Sequence, residues 1–503
     1  MLAALMNGCT TSMRDPQLCV TVTGQTTDEL RRRRDAATGA DLVELRLDGV
    51  DRPDAAAALE GRLRPAIVTC RPRWEGGAFD GSEQERRRIL LDAIAAGAEF
   101  VDLELCAEFT PELVRLRRGR GVIVSRHVYG PPPADLAESI RVLRSSGAEV
   151  IKYAFEARSL SDTLRLFELA KESGPGSNEV QDHVLIAMGQ PGTPTRILAA
   201  RLGNRWTYAG DGVAPGQLPA TQLIREFGFR RIRPDADLYG VVGNPIAHSL
   251  SPAMHNAGFA ERGLNAAYLA LHAADADDFV RFARGMNLRG ASITAPFKVP
   301  MMERVDESDS LAAEVGAINT LHAVNGRWLG SNTDVAGFVT PLKGRMALRR
   351  TRAAVLGAGG AARAVAVALK REGADVRVCA RRSDEARAVA ALVGVNAGTF
   401  PPAPGTWDVL VNATSSGGRP EDRSPMEGVR LDGEIVFDLV YAPAETRLVQ
   451  QAREAGCWTI GGIEMLVVQA ERQFELWTGA APPPDLFRQA VEAAPGWKTG
   501  GRS

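Results

Sequence analysis

Residues 351–383 read TRAAVLGAGGAARAVAVALKREGADVRVCARRS and contain the clearest fold signal in the second half of the chain. An apolar run, AAVL, leads into Gly357, Gly359 and Ala362, which match the GxGxxG/A pattern, and a long helical segment follows. A second apolar run, VRVCA, comes after that helix. A strand, a glycine-rich turn, a helix and another strand in this order predict a Rossmann unit, whose helix N-terminus receives the pyrophosphate of a dinucleotide.

The residues after the second strand indicate which dinucleotide is bound. An NAD enzyme usually has an acidic residue here for the ribose hydroxyls, whereas this chain has Arg381 and Arg382. Two guanidinium groups fit a 2′-phosphate, so the sequence favours NADP, although Asp384 lies a little further on. The predicted cofactor contacts in this stretch are Gly357, Ala358, Gly359, Gly360, Ala361, Arg381 and Arg382.

The first half of the chain has a different pattern, in which short apolar runs alternate with amphipathic helical segments between Leu18 and Phe229. The runs are rich in β-branched and apolar residues, as strands are. In order they are LCVTVT, LVELRL, AIVTC, FVDLEL, GVIVS, EVIKYA, HVLIAM and RWTYA. The pattern predicts an α/β protein with an N-terminal (β/α)8 barrel. A doubly wound sheet is the alternative, but this half has no glycine-rich phosphate loop.

Polar residues at the carboxyl ends of these strands are the candidates for chemistry, because barrel enzymes carry their active sites there. Lys152 is the most informative, since a barrel strand is covered on both faces and should be apolar. Its amine is a candidate nucleophile, and the alternative is a structural ion pair with Glu44 or Glu104. The candidates in this half are Glu44, Arg46, Arg71, Glu75, Asp102, Glu104, His127, Lys152 and Gln217.

Composition and charge limit the functional classes. The 60 basic and 61 acidic residues give a net charge of −1, which argues against a nucleic-acid or membrane-surface protein. The arginine run from Arg31 to Arg34 is interpreted as a solvated helix face. Six scattered cysteines without CxxC spacing predict a reduced, cytoplasmic protein with no metal site. The sequence leaves open whether the chain is a monomer or a homo-oligomer.

A segment just after the midpoint, NPIAHSLSPAMHNAGFAERG (residues 244–263), is the most diagnostic part of the second half. Ser251 before Pro252 predicts a helix N-cap with proline at the first helical position. Free N–H groups and hydroxyls at such a helix start can bind a carboxylate, which makes Ser249 and Ser251 candidates for that role. Three further motifs follow, namely SITAPFK, GAINT and SNTD.

The ordered motifs VELRLDG, CRPRWEGG, SRH, a strand-end lysine and APGQ make the first half resemble type I 3-dehydroquinate dehydratases. The resemblance implies that Lys152 forms an imine with the C3 ketone of 3-dehydroquinate. It implies that His127 removes the C2 proton and then helps the C1 hydroxyl leave, while Glu75 orients His127. The substrate contacts implied by the resemblance are Glu44, Arg46, Arg71, Arg196 (for the carboxylate) and Gln217. Val128 and Val213 depart from residues that many relatives carry.

The second half resembles shikimate dehydrogenases over the 244–263 segment, SITAPFK, GAINT, SNTD and the glycine-rich turn. The resemblance makes Lys298 and Asp334 the catalytic pair, in which the ammonium donates or steers the proton that accompanies hydride transfer. The substrate contacts that it implies are Ser249, Ser251, Thr294, Asn319, Tyr441 and Gln469, and the loop beside the nicotinamide ribose adds Asn412 and Thr414. In the helical stretch 465–477 only Gln469 is predicted to be functional, and the rest is interpreted as core.

Together the two resemblances predict dehydration of 3-dehydroquinate to 3-dehydroshikimate, followed by NADPH-dependent reduction to shikimate. Three alternatives remain: a class I aldolase barrel, a dehydrogenase that prefers quinate, and one half reduced to a non-catalytic scaffold. The predicted organisation has a disordered extension (1–15), the barrel (16–231), a linker (232–237), a substrate lobe (238–340 with 468–495) and a cofactor lobe (341–467).

Overall fold

The computed structural model describes residues 15–130, 132, 134–172, 181–419 and 422–494. All but the last residue of the predicted extension 1–15 lies outside the described residues. The chain forms two compact units, and the boundary between them falls between Ala236 and Asp237. In the described part, no helix is both long and apolar enough to cross a membrane.

The first unit is a parallel eight-stranded sheet with helices between its strands. Its strands are β1 (Gln17–Val22), β2 (Leu42–Arg46), β3 (Ala66–Thr69), β4 (Phe100–Glu104), β5 (Val122–Val128), β6 (Val150–Glu156), β7 (Asp182–Met188) and β8 (Trp206–Ala209). Its helices are α1 (Thr27–Ala36), α2 (Ala55–Leu59), α3 (Glu83–Ala95), α4 (Thr110–Arg117), α5 (Leu136–Arg144), α6 (Leu164–Glu172), α7 (Thr193–Ile197) and α8 (Ala220–Arg225).

The strands follow one another in chain order, and β8 pairs with β1 to bring the ends of the sheet together. Where β7 and β8 meet, the backbone N–H of Arg205, just before β8, donates to the carbonyl of His183 on β7 at 2.9 Å. All eight strands occur where the apolar runs predict them, because each run is long enough only for a strand and is covered on both faces. The predicted α/β fold with an N-terminal barrel is confirmed.

The predicted solvated helix face from Arg31 to Arg34 holds for Arg32 and Arg33, which are exposed, but is wrong for Arg34. Arg34 is buried rather than solvated, and its guanidinium donates to the carbonyls of Ala58 and Glu60 at 2.6 and 3.0 Å. It therefore attaches α1 to the end of α2. The sequence could not reveal this, because four consecutive arginines cover all sides of a helix and one of them must face the neighbouring helix.

The second unit begins with a mixed six-stranded sheet in the order β10-β9-β11-β13-β14-β12. Its strands are β9 (Asp237–Gly243), β10 (Ala266–His272), β11 (Gly290–Ile293), β12 (Glu307–Ser308), β13 (Thr320–Val324) and β14 (Arg327–Ser331). Its helices are α9 (Ser251–Glu261), α10 (Ala276–Gly285), α11 (Ser310–Val315) and α12 (Asp334–Lys343).

A second, parallel sheet of six strands follows in the order β17-β16-β15-β18-β19-β20, as in a Rossmann unit. Its strands are β15 (Arg352–Leu356), β16 (Asp375–Cys379), β17 (Asn396–Gly398), β18 (Val409–Asn412), β19 (Ile435–Asp438) and β20 (Trp458–Ile460). The remaining helices are α13 (Gly360–Arg371), α14 (Ser383–Val393), α15 (Arg447–Glu454), α16 (Gly462–Thr478) and α17 (Leu486–Glu492).

The last two helices return to the lobe built on the mixed sheet. Phe474 and Trp477 of α16 and Phe487 of α17 pack in one apolar cluster with Tyr239 of β9 and Phe259 of α9. Helix α16 also packs along α12, which begins at Asp334. These contacts bring α16 to motifs that lie about 150 residues earlier in the sequence, which explains why GAINT, SNTD and Gln469 share one site.

Candidate active sites

Lys152 lies on β6 inside the barrel, and it is surrounded by acidic and aromatic groups rather than by apolar ones alone. Its Nζ donates to Asp102 Oδ2 at 3.0 Å and lies 3.5 Å from Glu44 Oε1. The same atom lies 4.2 Å from the ring centre of Tyr208, a cation–π contact. The sequence suggested Glu44 or Glu104 as an ion-pair partner of Lys152. Glu44 does pair with Lys152, whereas Glu104 pairs with Arg71.

Two threonines that the sequence argument missed hold Glu44. The hydroxyls of Thr21 and Thr69 donate to its two carboxylate oxygens at 2.9 and 2.8 Å. Gln217 joins this group, because its amide donates to the Thr21 hydroxyl at 3.2 Å. The other amide atom of Gln217, Oε1, is buried without a partner in the described part of the chain and so remains available to a ligand.

His127 and Glu75 lie together at the carboxyl end of β5. Glu75 Oε1 accepts from the backbone N–H of His127 and lies 2.9 Å from its Nδ1, which leaves Nε2 as the free ring nitrogen. Burial, and then the charges of Arg71 and Lys152, hold the pKa of His127 well below its usual range, so the imidazole is neutral. Burial raises the pKa of Glu75 to about 7.

Arg71, which is expected to contact substrate, is the centre of a buried ion network. Its guanidinium pairs with Asp102 at 2.9 Å and with Glu104 at 2.7 Å, and it donates to Ser125 Oγ at 2.8 Å. Burial alone would raise the pKa of Asp102, but the charges of Arg71 and Lys152 outweigh it and hold that pKa well below its usual range. Asp102 is therefore ionised beside the lysine at any pH near neutrality.

Arg46 and Arg196 supply the remaining cations of the barrel site. Arg46 forms a two-pronged pair with Asp48, with both N–O distances at 2.8 Å. Arg196 on α7 is buried and bonded only to the carbonyls of Pro215 and Tyr208, and its Nε has no partner among the described residues. Burial lowers its pKa to about 10, which still leaves it charged. An arginine with no carboxylate partner is suited to bind an anionic ligand.

In the second unit, Lys298 and Asp334 form a hydrogen-bonded ion pair. Asn319 connects to it, because its Nδ2 donates to Asp334 Oδ1 at 2.8 Å and lies 3.4 Å from Gln469 Oε1. The backbone N–H of Thr333 donates to Asn319 Oδ1 at 2.8 Å, which fixes the orientation of the amide. GAINT, SNTD, Lys298 and Gln469 therefore meet, as the sequence motifs indicate.

The N-cap expectation for Ser251 is wrong. Ser251 is the first helical residue of α9, Leu250 is at the N-cap position, and no side chain caps the helix. The Ser251 side chain instead lies close to Tyr268, whose pKa is raised by burial. Ser249 accepts from the backbone N–H of Ser251 at 3.3 Å and lies close to Tyr441, whose pKa is also raised by burial.

Thr294 ends the strand segment that leads to Lys298. Its backbone N–H donates to Val242 at 3.0 Å, and its methyl group lies against Gly243. It therefore lies at the carboxyl end of β9 and β11, one turn before Lys298.

The glycine-rich turn leaves room for a dinucleotide and contacts the lysine. Gly357 has a φ of +117°, which favours glycine, and a Cβ on Gly359 would have no neighbour within 4 Å. A Cβ on Gly360 would lie 2.8 Å from Lys298 Cβ, so the turn and Lys298 are in direct contact. Ala358 lies within this turn, and Ala361 follows Gly360 in the first turn of α13, so both flank the same helix start. A helix N-terminus with open space before it fits a pyrophosphate.

Other predicted cofactor residues differ in their exposure. Arg381 and Arg382 follow β16 and are exposed, and Arg382 pairs with Glu385 at 2.7 Å. Asn412 is fully buried, and its amide bonds to Asp438, Thr414 and the carbonyl of Ser416. It therefore organises its loop rather than offering its side chain to a cofactor. Among the described residues, no cluster of His, Cys, Asp or Glu is arranged to hold a metal ion.

The fold and the two groups of residues define an α/β enzyme in which a lysine-containing barrel precedes a two-lobed, dinucleotide-binding unit. Comparison with known families identifies both parts. Type I 3-dehydroquinase matches residues 18–233, the shikimate dehydrogenase substrate binding domain matches 241–321, and the shikimate 5′-dehydrogenase C-terminal domain matches 462–492.

Individual relatives agree with these matches. The chloroplastic bifunctional 3-dehydroquinate dehydratase/shikimate dehydrogenase of Arabidopsis thaliana is 33% identical over 90% of this chain and 80% of its own length. The shikimate dehydrogenase (NADP(+)) of Halobacterium salinarum is 41% identical over 51% of this chain and 99% of its own. A crystal structure of Thermus thermophilus shikimate 5-dehydrogenase with NADP(H) and shikimate is 37% identical, covers 50% of this chain and 98% of its own, and has a TM-score of 0.47.

The chain belongs to the family of bifunctional 3-dehydroquinate dehydratase/shikimate dehydrogenases. It is an enzyme of the shikimate pathway with a type I dehydratase domain followed by a shikimate dehydrogenase. The predicted pair of activities and the predicted dependence on NADP are confirmed.

Proposed function

We propose that Lys152 is the residue that forms an imine with the C3 ketone of 3-dehydroquinate. Lys152 is the third residue of β6, so its amine lies inside the barrel, below the carboxyl ends of the strands where barrel enzymes bind their ligands. Asp102 and Glu44, at 3.0 and 3.5 Å, balance the charge of the protonated imine once it forms. That positive charge then stabilises the electrons released at C2.

His127 is proposed as the base that takes the C2 proton and returns it to the departing C1 hydroxyl. A base must be neutral at the working pH, and the lowered pKa of His127 meets this requirement. Glu75 holds Nδ1 at 2.9 Å, so Nε2 is the nitrogen that accepts the proton. The raised pKa of Glu75 makes the pair able to share a proton near neutral pH.

The carboxylate of 3-dehydroquinate is proposed to bind Arg196, the one buried guanidinium of this site that has no acidic partner among the described residues. Gln217 and Glu44 are proposed to contact substrate hydroxyls. Arg46 is proposed as a further substrate contact through the guanidinium nitrogen that does not bond to Asp48. We assign Arg71 a supporting role, because Asp102, Glu104 and Ser125 take up its donors.

In the second unit, Lys298 is proposed to donate or steer the proton when the ketone of 3-dehydroshikimate becomes the hydroxyl of shikimate. Asp334 orients the ammonium and Asn319 orients Asp334. Ser249 and Ser251 are proposed to bind the carboxylate, with Tyr441 beside them, and Gln469 and Thr294 are proposed to contact hydroxyls. NADPH supplies the hydride when it is bound at the glycine-rich turn.

Arg381 and Arg382 are proposed to bind the 2′-phosphate of NADPH, since both are exposed and the surface pair of Arg382 with Glu385 is weak. We further propose that residues 238–340 with 468–495 bind substrate and that 341–467 bind the cofactor. A cytoplasmic location is proposed from the five described cysteines, which are all unpaired thiols.

The observation that carries the proposal is that each unit has a complete set of reacting groups, Lys152 with His127 in one and Lys298 with Asp334 in the other. Two variants of the full chain test it. Lys152→Met is expected to abolish dehydration and leave the oxidation of shikimate by NADP within about twofold of wild type, whereas Asp334→Asn is expected to do the reverse. Loss of both activities in either variant, or of neither, contradicts the assignment.

A further inference from the structure

Gln473 lies on α16 one helical turn after Gln469 and is completely buried. Its side chain makes hydrogen bonds to three residues of the substrate lobe: Ser292 on β11, Thr320 at the start of β13, and Asn319 just before it. Nε2 donates to the backbone carbonyl of Asn319 at 3.1 Å and to the hydroxyl of Thr320 at 2.9 Å. Oε1 accepts from the hydroxyl of Ser292 at 2.6 Å. A buried amide that satisfies this many partners fixes the strands to which they belong.

The directions of these bonds follow from donor and acceptor chemistry. A backbone carbonyl can only accept, so Nε2 must face Asn319 and Oε1 must face Ser292. The single proton of the Ser292 hydroxyl is then committed to Gln473, so the Tyr268 hydroxyl, 2.5 Å away, is the donor to Ser292. Tyr268 in turn lies close to the side chain of Ser251. One side of Gln473 therefore leads to the proposed carboxylate-binding serine.

The other side of Gln473 leads to the proposed catalytic pair. The Thr320 hydroxyl accepts from Gln473 and donates to Asn319 Oδ1 at 2.7 Å. Asn319 Nδ2 donates to Asp334 Oδ1 at 2.8 Å, and Asp334 pairs with Lys298. An unbroken series of hydrogen bonds thus runs from the buried face of α16 to the ammonium group.

We propose that Gln473 is a positioning residue of the dehydrogenase, which sets the placement of Asn319 and, through it, of the Asp334–Lys298 pair. Gln473 has no exposed surface, so it acts on the substrate only through these neighbours. Catalysis depends on placement at the scale of fractions of an ångström, so a loosened Asn319 lowers the rate without removing a reacting group. This inference rests on the proposed roles of Lys298 and Asp334.

The test uses the full chain, in which the dehydratase rate serves as an internal standard for folding and concentration. Gln473→Met keeps the length of the side chain and removes its polar atoms. We expect kcat/KM for shikimate to fall about tenfold, while the KM for NADP and the dehydratase rate each stay within about twofold. Thr320→Val, which breaks the same series at the next residue with little change of shape, is expected to give a loss of the same kind.

Trp477→Phe is the matched control, because Trp477 lies one turn further along α16 and donates to the carbonyl of Leu321 on the same strand at 3.0 Å. It removes a buried helix-to-strand bond that does not involve Asn319. We expect its kcat/KM for shikimate to stay within about twofold of wild type, even where its thermal midpoint falls as far as that of Gln473→Met.

Two results would overturn the positioning role: unchanged shikimate kinetics in both Gln473→Met and Thr320→Val, or an equal loss in Trp477→Phe. The outcome for the proposed function is read separately from Asp334→Asn. If Asp334→Asn leaves the dehydrogenase active, the proposed function fails. If it abolishes that activity while neither Gln473→Met nor Thr320→Val lowers it, only the positioning role fails.

Discussion

Gly360→Ala is expected to slow the dehydrogenase by displacing its lysine, although the substitution lies in the cofactor turn. A Cβ at residue 360 would lie 2.8 Å from Cβ and 3.1 Å from Cδ of Lys298. Carbon atoms in ordinary contact are about 3.5 Å or more apart, so about 0.7 Å must be gained. The near end of the lysine side chain is attached to the backbone and cannot swing away as its tip could, so Lys298 itself must move.

The size of the effect follows from that displacement. A misplacement of about 1 Å at a reacting group costs about a hundredfold in rate, so about 0.7 Å should lower kcat for shikimate by roughly ten- to a hundredfold. Stability should not fall through helix propensity, because Gly360 is the first residue of α13 and alanine favours a helix by about 1 kcal/mol over glycine. The kinetic loss is thus separable from unfolding.

The assay is steady-state oxidation of shikimate by NADP in the full chain, with the dehydratase rate measured on the same sample. Gly359→Ala is the matched control in the same turn, because its Cβ would meet nothing within 4 Å in the protein. We expect that control to raise the KM for NADP and to change kcat little. A Gly360→Ala variant with wild-type kcat would refute the contact-based reasoning, and a parallel loss of dehydratase activity would point to misfolding instead.

Three further outcomes follow from the two sites. The double change Arg381→Ala with Arg382→Ala should raise the KM for NADP by roughly ten- to a hundredfold, about what one or two charge-assisted bonds contribute, and should leave the KM for NAD nearly unchanged; steady-state kinetics with both cofactors would check this. Because the folded pKa of Glu75, about 7, lies above the usual 4.5, its ionisation costs stability as pH rises from 4.5 to 7, on the order of 3 kcal/mol. The free energy of unfolding of Glu75→Gln, taken relative to that of wild type, should therefore be higher at pH 8 than at pH 5. Calorimetry that gives the same difference at both pH values would contradict the effect of burial on Glu75. Borohydride added with 3-dehydroquinate should give a covalent adduct on the wild-type chain by mass spectrometry, and an adduct that persists in Lys152→Ala would exclude Lys152 as its site.

Much of the fold follows directly from sequence pattern. The eight barrel strands and the glycine-rich unit were predictable because each is a short apolar run bounded by clear breaks, and in the Rossmann unit the strand, turn and helix reinforce one another. The proposed reacting groups could be singled out for a different reason. Lys152 is a charged residue in a strand that should be apolar, and Lys298 and Asp334 lie in motifs of distinctive composition.

What the sequence missed depends on contacts between residues far apart in the chain. Thr21 and Thr69 are ordinary strand residues until they are seen to hold Glu44. In the sequence, Arg71 and Arg46 both resemble substrate contacts. Only the structure shows that the donors of Arg71 are taken by Asp102 and Glu104.

The same holds for the second unit. Gln473 belongs to a helical stretch that is otherwise core, and its polar neighbours lie about 150 residues earlier in the chain. Ser251 was predicted as an N-cap from its position before Pro252, but the helix begins one residue earlier than that pattern suggests, and the side chain lies close to Tyr268 instead. Local pattern therefore identifies which residue types are unusual, whereas their partners depend on the tertiary fold.

One chain is expected to carry out the dehydration and then the reduction, and a single coupled assay tests this sequence of reactions. Pure protein is mixed with 3-dehydroquinate and NADPH, and the nicotinamide absorbance is followed. We expect the absorbance to fall with 3-dehydroquinate alone, to stay constant in Lys152→Ala, and to fall again when 3-dehydroshikimate is added to that variant. Constant absorbance in the wild-type chain, both with 3-dehydroquinate and with 3-dehydroshikimate, would contradict the proposed dehydration and reduction.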